Sequence, residues 1–203
     1  MPNVRREVVR IGEDLAIGFA NTIQGPGAGP LRSWSDLVDF LELRGAVAPT
    51  EGAALRAMGE RDARRCAAAL DHGLRLRETV RAMLDAIVAK RALKAGWVAE
   101  INQALASGVG APHLIRQGPG WRVDFSPAVE DPRRALAPIA RAMALLAASA
   151  AGAQIKRCAN PRCVLYFRDT SRTRRRRWCS MAVCGNRMKV AAHVRRHGRR
   201  RSA

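Results

Sequence analysis

Cys158-Ala-Asn-Pro-Arg-Cys163 and Cys179-Ser-Met-Ala-Val-Cys184, the second running straight into Gly185-Asn186-Arg187, decide how this chain is read. Each cysteine pair encloses four residues, and fifteen residues separate the pairs. Four of the five cysteines thus stand in two matched pairs. A tetrahedral zinc ion needs four ligands converging on one point. Two short loops, each with two thiolates, supply them at little loop-closure cost. Cys158, Cys163, Cys179 and Cys184 are the candidate ligands of one structural Zn2+.

Other readings of the pattern can be weighed. Two disulfides would need an oxidising compartment, and nothing in the chain points to export. A redox pair usually encloses two residues rather than four. An iron–sulfur cluster also takes four thiolates. His193 and His197, four apart on an expected helix, could replace a cysteine, or stand as two exposed histidines on a basic face. Catalytic zinc keeps an open position beside an acid or base. Here four thiolates close the shell and Asp169 is the only local acid, so no enzyme is expected.

Charge gathers around the cysteines. Residues 153–203 hold 16 Lys and Arg against one acid, a net of +15, while the other residues sum to +4. Zinc with four thiolates would leave the segment at about +13. A near-neutral body with a strongly basic end is the footprint of a polyanion binder. A membrane surface would attract the same charge, but no apolar amphipathic face accompanies it. Arg172, Arg174, Arg175, Arg176 and Arg177 lie between the pairs, where guanidinium forks suit phosphate and can read guanine. The segment from Asn186 to His197 reads as a helix, with Arg187 and Lys189 near its start and Arg195 and Arg196 near its end. A helix beginning at a zinc knuckle offers phosphate its N-terminus and base edges a face. Asn186 either caps that helix or contacts an adenine edge. Val164, Leu165, Tyr166, Phe167 and Trp178 are the apolar groups available beside the metal, with Trp178 expected to pack rather than stack on a base. Asp169 is expected to orient a nearby Arg or to cap the Thr170-Ser171 turn.

Phe167-Arg-Asp-Thr-Ser-Arg172, Trp178-Cys-Ser-Met181 and Cys184-Gly185-Asn186-Arg187 together resemble the CGNR zinc finger, over about 40 residues. The resemblance implies a zinc-bound module that binds nucleic acid at the C-terminus of a stress-induced bacterial transcription regulator. Leu15-Ala-Ile-Gly-Phe-Ala-Asn-Thr22, followed by a helix around Trp34-Ser-Asp-Leu37, resembles the start of the ABATE domain, which commonly precedes that finger. That family usually has an acid where Gly18 stands here.

The chain before the cysteines reads as mainly helical. The apolar segment Leu15–Ile23 follows Glu13 and Asp14, the wrong flank for a signal peptide, and is too short to span a membrane. A cytoplasmic protein is expected, where thiols stay reduced. Residues 13–23 read as a short helix or strand ending near Asn21. Gly25–Pro30 reads as a loop. Ser33 or Ser35 caps a helix carrying Trp34, Leu37, Val38, Leu41 and Leu43, which stops near Gly45. Two helices are expected between about Thr50 and Ala95, with a break near Asp71-His72-Gly73. Cys66 lies there and reads as a small buried hydrophobe. Trp97–Leu105 reads as a short helix with its exit at Gly108-Val-Gly110. His113–Arg116 and Trp121–Phe125 flank Gln117-Gly-Pro-Gly120, a β-hairpin signal. An Ala-rich helix is expected from Pro132 to Gly152.

The fold class is therefore mainly α with a small β-hairpin (α+β). An ABATE-like helical domain over 1–152 precedes a zinc-ribbon or treble-clef-like finger over 153–197 and a disordered basic tail over 198–203. The function expected is zinc-containing nucleic-acid binding, with DNA favoured over RNA. The helical domain would sense a small-molecule effector or form a homodimer, without a membrane partner. The alternatives are an RNA-binding protein and a protein–protein adaptor with a structural finger.

Overall fold

Asp14 opens the first helix, because its carboxylate accepts the Ala16 N–H that the helix cannot itself satisfy. The computed structural model describes residues 14–23, 31–107, 113–117, 119–124, 131–148 and 154–201. The helix so capped, α1 (Leu15–Ala20), is short, and Ala16 through Ala20 are all buried in it. It packs on α4 and α6 (both below) as the central rod of the body. The expected loop at Gly25–Pro30 and the exit at Gly108–Gly110 lie outside the described residues.

Ser33 caps α2 (Trp34–Leu43) in a reciprocal box with Asp36. Gly45 ends that turn in the left-handed conformation, at φ +64, which glycine adopts without penalty. Over α1, the Arg44 guanidinium covers Gly18: a Cβ there would lie 3.0 Å from Arg44 Cζ. An acid at this position would therefore meet a cation.

Pro49 starts α3 (Pro49–Arg61), where its missing N–H costs nothing. The break before α4 (Ala63–Val88) falls at Asp62, not at Asp71–Gly73. Asp62 closes α3 and caps α4, accepting from Arg65 N. Gly73 is instead an interior packing position. A Cβ there would come within 2.9 Å of Leu136, so glycine lets the 3-10 turn Pro132–Leu136 sit directly on α4. Cys66, Ala69, Leu70, Leu76, Val80, Met83 and Leu84 form the buried stripe of α4 at helical spacing. Cys66 is a buried core residue, as its lack of a partner suggested.

After α5 (Ala95–Ala106), strands β1 (His113–Gln117) and β2 (Gly120–Asp124) pair antiparallel up to Gln117 and Gly120, the expected hairpin. The Ala-rich segment begins as the 3-10 turn and continues as α6 (Ala137–Ala148), packed against α5 and α1.

The finger starts with β3 (Ile155–Arg157), antiparallel to β4 (Tyr166–Arg168). Successive strand residues point to opposite faces. Tyr166 and Ile155 therefore enter the core of the helical body, while Leu165 and Phe167 enter a second cluster with the cysteines. Tyr166 thus leaves the metal-side core that the sequence suggested for it. Asn21, at the end of α1, behaves like a strand partner. Its amide donates to Tyr166 O and accepts from Tyr166 N, each at 2.9 Å. Arg81 of α4 donates to Ala20 O and lies over the Tyr166 ring, and Arg168 pairs with Asp14 at 2.5 Å. Among the described residues no helix is long and apolar enough to cross a membrane.

Candidate metal centre and basic surface

Two local structures bring the cysteines together. Cys158 and Cys163 flank the turn between β3 and β4, closed by Cys163 N donating to Asn160 O at 2.8 Å. Cys158 N donates to Leu165 O at 2.9 Å, which anchors the knuckle to β4. Cys179 stands just before, and Cys184 within, a wide π-type turn (Met181–Gly185) that runs directly into α7 (Asn186–Arg201). Ser180 caps this turn through Val183 N, and Gly185 N reaches back to Ser180 O. The cap is therefore Ser180 rather than Asn186. Asn186 already has helical dihedrals and an exposed side chain, because the wide turn moves the helix start six residues upstream. A Cβ at Gly185 would lie 2.4 Å from the Met181 sulfur, the end of an exposed and flexible side chain that can swing aside.

All four sulfurs lie within 4.8 Å of one another. Cys163 and Cys179 are 3.8 Å apart, and Cys179 and Cys184 3.7 Å. A tetrahedron with Zn–S bonds of about 2.3 Å has edges of about 3.8 Å. Disulfides would need sulfurs at roughly 2.05 Å, and a multi-iron cluster would hold its thiolates further apart. The set fits one mononuclear tetrahedral ion, and Cys158, Cys163, Cys179 and Cys184 bind one structural zinc.

The charge chemistry agrees. Burial pushes the Cys163 thiol up to about 11. Burial and the neighbouring sulfurs push Cys179 up as well. Four thiolates this close together coexist only around a cation. Burial acts upward on Cys184 too, but the amide of buried Asn160, donating to its sulfur at 3.4 Å, helps hold it below its ordinary value. Cys179 N similarly donates to Cys158 Sγ at 3.5 Å. Such N–H···S bonds orient the ligands and draw charge off them. His193 is exposed on α7 and stands outside the four-sulfur set. The side chain of His197 lies outside the described residues.

Asp169 organises the arginine loop. It has no exposed surface, and its carboxylate accepts from Ser171 N and Oγ, Arg176 N and Lys156 Nζ. Burial acts to raise its pKa, but Lys156 and Ser171 outweigh it and hold the carboxyl at about 2. Asp169 thus caps the Thr170-Ser171 turn as expected, but its ionic partner is Lys156 rather than an arginine.

The five loop arginines have different fates. Arg176 turns inward: its guanidinium donates to Trp178 O and Cys179 O and lies 4.8 Å from the Phe167 ring centroid. It is a clasp across the second knuckle and is withdrawn from the surface set. Arg174 takes a left-handed φ of 52 and donates to Asp169 O while remaining exposed. Arg172, Arg175 and Arg177 are exposed, Arg177 over the Trp178 ring. Trp178 itself packs against the metal-side cluster. Arg187 and Lys189 are exposed on the first turn of α7. The side chains of Arg195 and Arg196 lie outside the described residues. The helix continues to Arg201, past Gly198, where an irregular tail was expected; one glycine in a helix costs only about 1 kcal/mol.

Sequence reasoning did not single out Asn160, Lys156, Ser180 or Arg162. The Asn160-Pro161 step inside the first pair is a turn signal that could have marked the knuckle. A cleft of about 290 Å3 beside the metal is lined in part by Arg162 and Arg187.

A four-cysteine zinc finger set into the flank of a helical body is the class of protein that this geometry defines. Two family models match the chain. One, the CGNR zinc finger, covers residues 154–197, and the other, ABATE, described as "Putative stress-induced transcription regulator", covers residues 13–150. The chain belongs to the ABATE family and carries a CGNR zinc finger after that domain. No curated protein matches it.

Proposed function

We propose that this protein is a DNA-binding transcription regulator of the cytoplasm, with no enzymatic activity of its own. Its zinc finger engages DNA, and its helical body senses a small-molecule effector or forms a homodimer. The observation that carries the reading is the placement of charge. Arg172, Arg174, Arg175, Arg177, Arg187 and Lys189 stay exposed on a metal-rigidified module within a segment of net +15. Fixed guanidinium groups on a folded surface match a regular phosphate array better than the same charges on a loose chain. The family description of a transcription regulator supports the same reading.

The test is a fluorescence titration of the zinc-loaded protein against duplex DNA at several salt concentrations, beside a Cys158→Ser, Cys184→Ser variant. Neutralising about six phosphates gives a slope of roughly −5 in log affinity against log salt. That slope should be lost in the variant. An unchanged slope in the variant would mean that the charges act as an unstructured polycation. Matched RNA duplexes bound more tightly than DNA would move the reading to RNA, and no binding at low salt would move it to a protein adaptor.

A further inference from the structure

Burial divides α7 into two sides. Met188, Ala191 and Ala192 are half-buried. Asn186, Arg187, Lys189, Val190, His193 and Val194 are exposed. At 3.6 residues per turn these six fall within about 160° on the side opposite the first three. Apart from the turn that leads into it, α7 makes no extensive contact with another helix or strand among the described residues. The face therefore projects from the body.

Val190 and Val194 are 62% and 61% exposed. A single exposed valine needs no explanation. Two of them at i, i+4, in the middle of the outward face of the most basic segment, are a different case. Valine is a poorer helix former than Lys, Arg or Ala, so solvent exposure alone does not favour it there. Whatever covers this face must also accept the cations on the same helix, Arg187 and Lys189, within a segment of net +15. A second copy of the face would set two +15 segments against each other. A polyanion is the complementary occupant. Within duplex DNA, the apolar group offered among hydrogen-bonding edges is the thymine methyl of the major groove.

We infer that α7 lies in the DNA major groove with this face toward the base edges, Val190 and Val194 against thymine methyl groups and Arg187 in reach of a guanine. The inference rests on the DNA reading above and adds the groove, the reading helix and the base type. RNA does not satisfy it, because the A-form major groove is too narrow and uracil lacks the methyl.

The probe is the tightest duplex recovered by the zinc-loaded protein from a randomised library. Each of its thymines is replaced in turn by deoxyuridine, which deletes one methyl and keeps the pairing. Burying one methyl is worth about fourfold in affinity, so one or two positions should each weaken binding by about that factor. The Val190→Ala, Val194→Ala variant should bind with the same salt slope and show no thymine penalty. Alanine is a good helix former and both sites are exposed, so the helix is retained. Equal binding of all uracil-substituted duplexes by the unaltered protein would overturn the inference, and needs no variant to observe. So would penalties that persist in the double variant. A double variant that binds every duplex like the unaltered protein but loses self-association in sedimentation would assign the face to a second copy. Failure to enrich any duplex would sink the DNA reading itself, and this inference with it.

Discussion

Asn21→Ala removes the contact through which the helical body holds the finger. Two hydrogen bonds of 2.9 Å vanish together, both to the backbone of Tyr166, a residue with no exposed surface. A buried group left without its partner costs about 1–3 kcal/mol, so the loss of stability should reach about 2–6 kcal/mol. The effect is expected to travel. Leu165, the residue before Tyr166, accepts from Cys158 N, so movement of β4 reaches a zinc ligand directly. Urea denaturation followed by tryptophan fluorescence reads the stability, and competition with a chromophoric chelator reads the metal. Every 2 kcal/mol that reaches the site weakens zinc binding about thirtyfold. The reasoning is refuted if the urea midpoint does not move. It is also refuted if the midpoint falls while zinc affinity stays at the unaltered level, because the finger would then close without help from the body.

Three further outcomes follow from the geometry. Arg176→Ala should destabilise the finger by about 2 kcal/mol, since it leaves two carbonyls without a charged donor, whereas Arg175→Ala should leave stability unchanged and reduce the DNA salt slope by about one, measured by titration. Asp169→Asn should cost about 2 kcal/mol at neutral pH. Because the folded carboxyl is held at about 2, below its ordinary 3.8, that stability is present above pH 4 and is lost as the pH falls toward 2. The gap between the two proteins in denaturation midpoint should therefore stay constant from about pH 8 to pH 5. Cys66→Ala should keep one zinc per chain by metal analysis and lower stability by about 1 kcal/mol, while Cys184→Ser should lose the metal.

The metal site is legible in the sequence because zinc chemistry constrains local sequence: four thiolates in two short turns leave a visible spacing. The helix start at Ser33, one of two candidate caps, is legible for the same local reason, whereas the one at Pro49 is not, because a proline opens a turn as readily as a helix. The sequence misleads where local signals meet distant partners. Gly73 looks like a breaker until Leu136 is found pressing on it, and Asp62 looks ordinary until it is seen serving two helices. Arg176 cannot be told from Arg175 in a run of arginines, because only the carbonyls of Trp178 and Cys179 distinguish them. Asn186 lost its expected capping role to Ser180 because a π-type turn, which has no strong residue preference, extends the helix backward. The partnership of Asn21 with Tyr166, 145 residues apart, left no pattern in the sequence at all.

Two-faced β4 bears on how the finger can be inherited or transplanted. A finger cut away with its strand would carry Tyr166 and Ile155 into solvent, and the body left behind would have an open wound beside α1. The finger is thus not a cassette that can be grafted onto any host. A chimera would have to bring the acceptor as well, a short helix ending in an asparagine with an arginine over the tyrosine ring, or else redesign one face of a three-residue strand.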